Sequence, residues 1–117
     1  MPEVTARTNF IRMSPRKLRL VAGMIRGRGV DQAQAFLRAS PRRASRVMYK
    51  LLKSALANAE SMNEEKDLGL DMDQLIVKRI MVDEGPTLKR FKARAYGRAS
   101  RVKRRTSRIT LIVDMRE

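Results

Sequence analysis

The sequence predicts an α+β fold in which helices pack on strands and a long β-hairpin protrudes. Three observations predict it. Residues 14–61 carry helical periodicity punctuated by two Ser-Pro starts. Two β-rich runs, Leu75 to Val82 and Ile109 to Val113, lie near the other end. Between them, residues 89–108 hold ten Lys or Arg and no Asp or Glu, so the far end of the hairpin is almost purely cationic.

Residues 4–12 alternate weakly, with Val4, Ala6, Thr8 and Phe10 on one side, which predicts a short strand. Ser14 then reads as an N-cap and Pro15 as the first helical residue. Leu18, Val21, Ala22 and Ile25 follow at helical spacing and form one apolar face. Gly27 and Gly29 stop that helix. A second, short helix is expected over Asp31 to Ala39, burying Ala33, Phe36 and Leu37. Ser40 and Pro41 repeat the start signal, and the third helix is expected to reach about Ser61. Its inner face is Ala44, Val47, Met48, Leu51, Ala55 and Ala59.

The hairpin arms extend inward from Leu75 and Val113 toward residue 92. Each arm is about 17 residues, on the order of 55 Å at ~3.3 Å per residue. A compact 100-residue domain has a radius of gyration near ~13 Å, so the tip must stand outside the body. Ile76, Ile80, Val82, Leu111 and Ile112 are expected to pack on the helices. Beyond Asp83 the apolar pattern stops, and Gly85 and Pro86 interrupt regular pairing. One domain is expected over 1–117, with a body of about 1–82 and 109–117 and a hairpin of about 83–108.

Composition narrows the chemistry. Aromatic content is 4% with no Trp, so the core must be aliphatic, with the eight Met residues as gap-fillers. There is no Cys and no His, which removes thiolate and imidazole ligands and bases. Asp83 and Glu84 have no tuned acid–base partner, so neither an enzyme, a cofactor nor a metal site is expected. The first ten residues lack the apolar stretch of a secretory signal. No segment approaches the ~20 apolar residues of a membrane helix, so a soluble, internal protein is expected.

The charge of +15 is segregated. Residues 1–40 carry +6 and 41–59 carry +5, whereas 60–73 carry −5 and 89–108 carry +10. Such a distribution needs a polyanion, and nucleic acid is the expected partner. Arg42, Arg46, Lys50 and Lys53 line up on one side of the third helix with no acid between them. Arg16 and Lys17, like Arg42 and Arg43, fall in first turns, where cations oppose the helix dipole unless an anion compensates.

Several segments together resemble the bacterial large-subunit ribosomal protein twenty-two family. They are Met13 to Val21, Ile25 to Gly27, Leu52 to Ala59, Val82 to Arg90, Arg94 to Ala99 and Arg105 to Thr110, in family order. The resemblance implies three helices on a small three-stranded antiparallel sheet, with a long protruding β-hairpin. It also implies a cytoplasmic structural constituent of the large ribosomal subunit that binds ribosomal RNA and supports assembly. The implied partners are large-subunit ribosomal RNA, neighbouring ribosomal proteins and the nascent polypeptide of the exit tunnel, with one copy per ribosome and no membrane.

Carried onto this chain, Pro86, Leu88, Lys89, Arg90, Phe91, Lys92, Arg94 and Tyr96 form the tunnel-lining tip. Arg98, Arg101, Lys103, Arg104, Arg105, Thr106, Ser107 and Arg108 lie along RNA. From the body, Arg12, Ser14, Arg16, Lys17, Arg19, Arg26, Arg28, Arg42, Arg46 and Lys50 complete the expected RNA-binding set. Two departures stand out: Ala93 replaces the family's frequent Pro, and Arg108 its frequent His. The acidic loop around Glu64 to Asp67 falls in a variable region.

The expected mechanism is binding. Lys and Arg release counterions from phosphates, and Arg, favoured seven to three in residues 89–108, adds bidentate pairing and stacking. A rival is an architectural DNA-binding protein with β-ribbon arms and an apolar wedge. Such proteins dimerise through a large apolar surface, whereas the long helix here has one apolar face, enough for its own core.

Overall fold

The structure is a computed structural model of the 117-residue chain. It describes residues 3–66, 69, 72–85, 88–93 and 99–115, with backbone alone for 10, 72, 88–93 and 99–104. The elements are β1 (Val4–Ile11), α1 (Pro15–Ile25), α2 (Val30–Ala39), α3 (Arg43–Lys66), a 3₁₀ turn (Met72–Gln74), β2 (Leu75–Glu84), β3 (Leu88–Ala93), β4 (Ala99–Arg104) and β5 (Ser107–Met115). Three helices cover one face of an antiparallel sheet of order β1-β5-β2. The strands β2 and β5 run on into the paired β3 and β4, which extend the ribbon beyond the sheet. The molecule measures 66 × 27 × 18 Å, and its radius of gyration is 17.6 Å. A compact chain of this length would give about 13 Å.

The core is aliphatic, as composition requires. Leu18, Val21, Ala22 and Ile25 of α1 are all fully buried. They meet Met48, Leu52, Ala55 and Ala59 of α3 and Ile109, Leu111 and Val113 of the central strand. Phe36 and Tyr49 only flank this core. Phe36, expected inside, is only half-buried; α2 starts at Val30, one residue before the expected Asp31, and its buried face is Val30, Ala33 and Leu37.

Alternation failed on β2 for a specific reason. The register to β5 shifts between Val77 and Arg79, a bulge at Lys78. An extra residue reverses the phase of the side chains. Leu75 and Val77 below the bulge therefore share the helix-facing side with Ile80 and Val82 above it. Ile76 and Ile112, expected on the helices, lie on the opposite side of the sheet, where Ile112 is still buried and Ile76 half-buried.

The helix starts also needed correction. Ser14 is the N-cap of α1 by backbone conformation, yet its side chain makes no cap hydrogen bond. Ser40 is the C-cap of α2, and α3 begins only at Arg43. The Ser40 hydroxyl accepts from the Ser45 hydroxyl at 2.7 Å, which satisfies a serine buried under the first turn of α3. At its other end α3 reaches Lys66, well past Ser61. The stripe Ala55, Ala59, Met62 keeps packing on the core, and Glu64, Glu65 and Lys66 are good helix formers. The expected acidic loop thus begins as helix.

Candidate nucleic-acid interface

Strands β3 and β4 carry the densest charge. Their register pairs Leu88 with Arg104, Lys89 with Lys103, Arg90 with Val102, Phe91 with Arg101, Lys92 with Ser100 and Ala93 with Ala99. Alternation then assigns Arg90, Lys92 and Arg104 to one face and Lys89, Arg101 and Lys103 to the other. By register, three cationic positions fall on each face. Lys89 directly opposes Lys103, a like-charge pair that destabilises an isolated ribbon. A two-stranded ribbon is already marginal in water. Counter-charge against either face would relieve this repulsion. Leu88, Lys89, Arg90, Phe91 and Lys92, expected at the tip, lie along an arm instead, because pairing continues to Ala93 and Ala99. The expected tip residues Pro86, Arg94 and Tyr96, and Arg98 beyond them, lie outside the described residues.

At the base of the ribbon two members of the expected set are withdrawn. Thr106 and Ser107 are 1% and 0% exposed, so their hydroxyls face protein. The Ser107 hydroxyl donates to the Met13 carbonyl at 2.7 Å. Their neighbours differ: Arg108 is exposed on the helix-free face of the sheet, and exposed Arg105 lies 3.7 Å from Glu84.

On the body, Arg12, Arg16, Lys17 and Arg28 are exposed around α1, while Ser14 is half-buried. No acid occupies the first turn of α1 or α3. Arg46 and Lys50 are exposed along α3; Arg42, meant to head that row, precedes the helix. Lys53 stands 5.7 Å from the Tyr49 ring centroid, and Arg38 stands 5.6 Å from it. Arg38 also donates to the Tyr49 hydroxyl, at 2.9 Å through Nη2. That hydrogen bond, reinforced by the two positive charges, holds the phenol below its usual pKa.

Arg19 and Arg26 do something the sequence did not announce. Arg19 donates twice to the Val82 carbonyl, at 3.2 Å from Nε and 2.9 Å from Nη2. Arg26 donates to the Ile80 carbonyl at 2.8 Å. Gly27, at φ 80°, gives its N–H to the Val77 carbonyl at 2.8 Å. All three cover the outer edge of β2, whose carbonyls would otherwise invite another strand. These arginines hold α1 to the sheet, which leaves them less free for phosphate.

On the helix-free side the sequence reading missed exposed Arg7, whose partner Thr110 shares a face with Arg108, and exposed Arg79, which pairs with Ile112 and lies 3.7 Å from Glu3. The alternation that buries Val4 and Ala6 was the available signal for Arg7. Among the described residues no group of acids, Cys or His can hold a metal ion, and no helix is long and apolar enough to cross a membrane.

The three helices, the cationic ribbon and all of the sheet except the ends of β1 and β5 fall within a match to the family model for ribosomal protein L22p/L17e, which spans residues 6–114. The chain therefore belongs to the L22p/L17e family of ribosomal proteins and is a structural constituent of the cytoplasmic large ribosomal subunit.

Proposed function

We propose that the β3–β4 ribbon is embedded in large-subunit ribosomal RNA and that its tip forms part of the wall of the polypeptide exit tunnel. Family membership gives association with ribosomal RNA and with other ribosomal proteins. The finer reading rests on one observation, the β3–β4 register, by which strand alternation assigns three cationic positions to each face of the ribbon. A ribbon that lies on a surface needs charge on one face; one with charge on both faces is matched to a crevice between RNA segments. RNA crevices are recognised by shape and backbone contacts, which suits an extended arm better than a globule. Lys89, Arg90, Lys92, Arg101, Lys103 and Arg104 neutralise phosphates there, while Arg16, Lys17, Arg28, Arg46 and Lys50 anchor the body. Arg94 and Tyr96, in the stretch that joins β3 to β4, then meet the nascent polypeptide. The protein acts as one copy per subunit and supports assembly, and it performs no chemistry.

A photo-crosslinking residue at position 90, introduced in cells, tests this. Mapped crosslinks are expected on large-subunit ribosomal RNA and, in translating ribosomes, on nascent chains. Assembled ribosomes that yield neither product would overturn the proposal.

A further inference from the structure

The ribbon leaves the body where β1 ends. Ile11 makes the last β1 pair with Ser107, and Ser107 also faces Glu84 across β2. Beyond that level only two strands continue, and nothing in a two-stranded ribbon itself fixes its direction relative to the body. Direction must be set at the neck.

Both edges of the neck are held by side chains. On the β5 edge, the chain turns after Ile11, with the Met13 N–H on the Ile11 carbonyl at 2.8 Å. This turn brings the Met13 carbonyl under Ser107, whose fully buried hydroxyl donates to it at 2.7 Å. On the β2 edge, the Arg19 guanidinium grips the Val82 carbonyl with two N–H groups. Between them the strands meet closely: Gly85 N–H donates to the Thr106 carbonyl at 2.9 Å. A Cβ on Gly85 would lie 2.6 Å from the Thr106 hydroxyl oxygen, and Thr106 is 1% exposed. A stiff β-branched side chain buried at this point has little room to yield.

We propose that Arg19, Gly85 and Ser107 are positioning residues that lock the direction of the hairpin before RNA is met. The purpose of the lock rests on the RNA-embedding reading above; its existence in the free chain does not. A guanidinium is suited to the task because its planar fork holds one carbonyl from two donors, which an ammonium cannot match. A pre-aimed finger enters its crevice without losing pivoting freedom on binding.

The chain has no Cys, so two engineered cysteines can be spin-labelled without interference. Ser61→Cys on the exposed side of α3 and Lys92→Cys on β3 report the angle of the hairpin to the body. Pulsed electron resonance on the free, full-length protein should give one narrow distance distribution. Arg19→Lys combined with Ser107→Ala should broaden it or split it, with the cooperative unfolding of the body retained. The affinity of that double variant for a large-subunit ribosomal RNA fragment should fall about tenfold, although Arg19→Lys keeps its charge. An unchanged narrow distribution in the folded double variant would overturn the lock. If the double variant does not fold, Arg19→Lys alone decides on the same criterion. Absence of RNA binding by the unsubstituted chain would instead sink the embedding reading and leave the distance result standing.

Discussion

Lys78 shows how much one residue can determine. It is the bulge residue of β2, and its ammonium sits 2.6 Å from Glu3 and 3.3 Å from Asp114. The bulge sets which side chains enter the core, while the ammonium ties the start of the chain to the end of β5. Hydrogen bonding to Lys78, then its charge, holds the Glu3 carboxyl below its usual 4.5. The Glu3 and Asp114 hydrogen bonds raise Lys78 above its usual 10.5. A depressed carboxyl stabilises the fold above its unfolded value and loses that contribution as pH falls through the folded value. A raised ammonium stabilises below its unfolded value and loses that contribution as pH rises through the folded one. The link therefore operates from acid pH up to strongly alkaline pH. Lys78→Met should move the Glu3 titration, followed by carboxyl NMR, upward toward an ordinary glutamate value, with Arg79 at 3.7 Å keeping a smaller share of the lowering. No change in that titration would show that the ion pair does not form in solution. Nothing in the sequence announced it, because alternation gives no sign of a bulge and no periodicity links residues 3, 78 and 114. The hydrogen bonds of Arg19 and Ser107 were hidden for the same reason. Both residues look like RNA ligands until the fold brings backbone carbonyls to them.

At the scale of elements, the helices were the most legible part. Four apolar residues at strict spacing predicted α1, and all four are fully buried. Their ends were less legible. A Ser-Pro pair marks a turn as readily as a cap, and Ser40 closes α2 rather than opening α3. The inner face of α3 differs from the expected one: Ser45 and Leu52 are buried on it as well, Val47 only flanks it, and Leu52, at 0% exposure, touches the core that α1 and the sheet share. Leu52→Ala should cost about 2–5 kcal/mol in a denaturant titration, the range for deleting a buried leucine's methyl groups. A cost within experimental error would mean that α3 does not pack as described. Strand β1 carried only a weak alternating signal, yet it pairs with β5 from Val4 to Thr8. Its Arg7, Thr8 and Asn9 are poor core residues, and pairing to a strong central strand overrides that weakness.

The whole molecule is an aliphatic body with a cationic extension, and that division was plain in the sequence. Charge counting located the extension, whereas only the register showed its two faces to be equally charged. The withdrawal of Thr106 and Ser107 could not be foreseen from composition, since both sit in a run of arginines. Six cations on β3 and β4 should dominate salt dependence. If each neutralises one phosphate, replacing all six by Gln should flatten the log–log salt slope for ribosomal RNA binding by about 4–5, at ~0.7–0.9 per contact. An unaltered slope would move the binding surface to the helices. The most direct test of the central claim is a density map of the assembled large subunit containing this chain. The account predicts RNA phosphates against both faces of the β3–β4 ribbon. A ribbon with one or both faces open to solvent would contradict it.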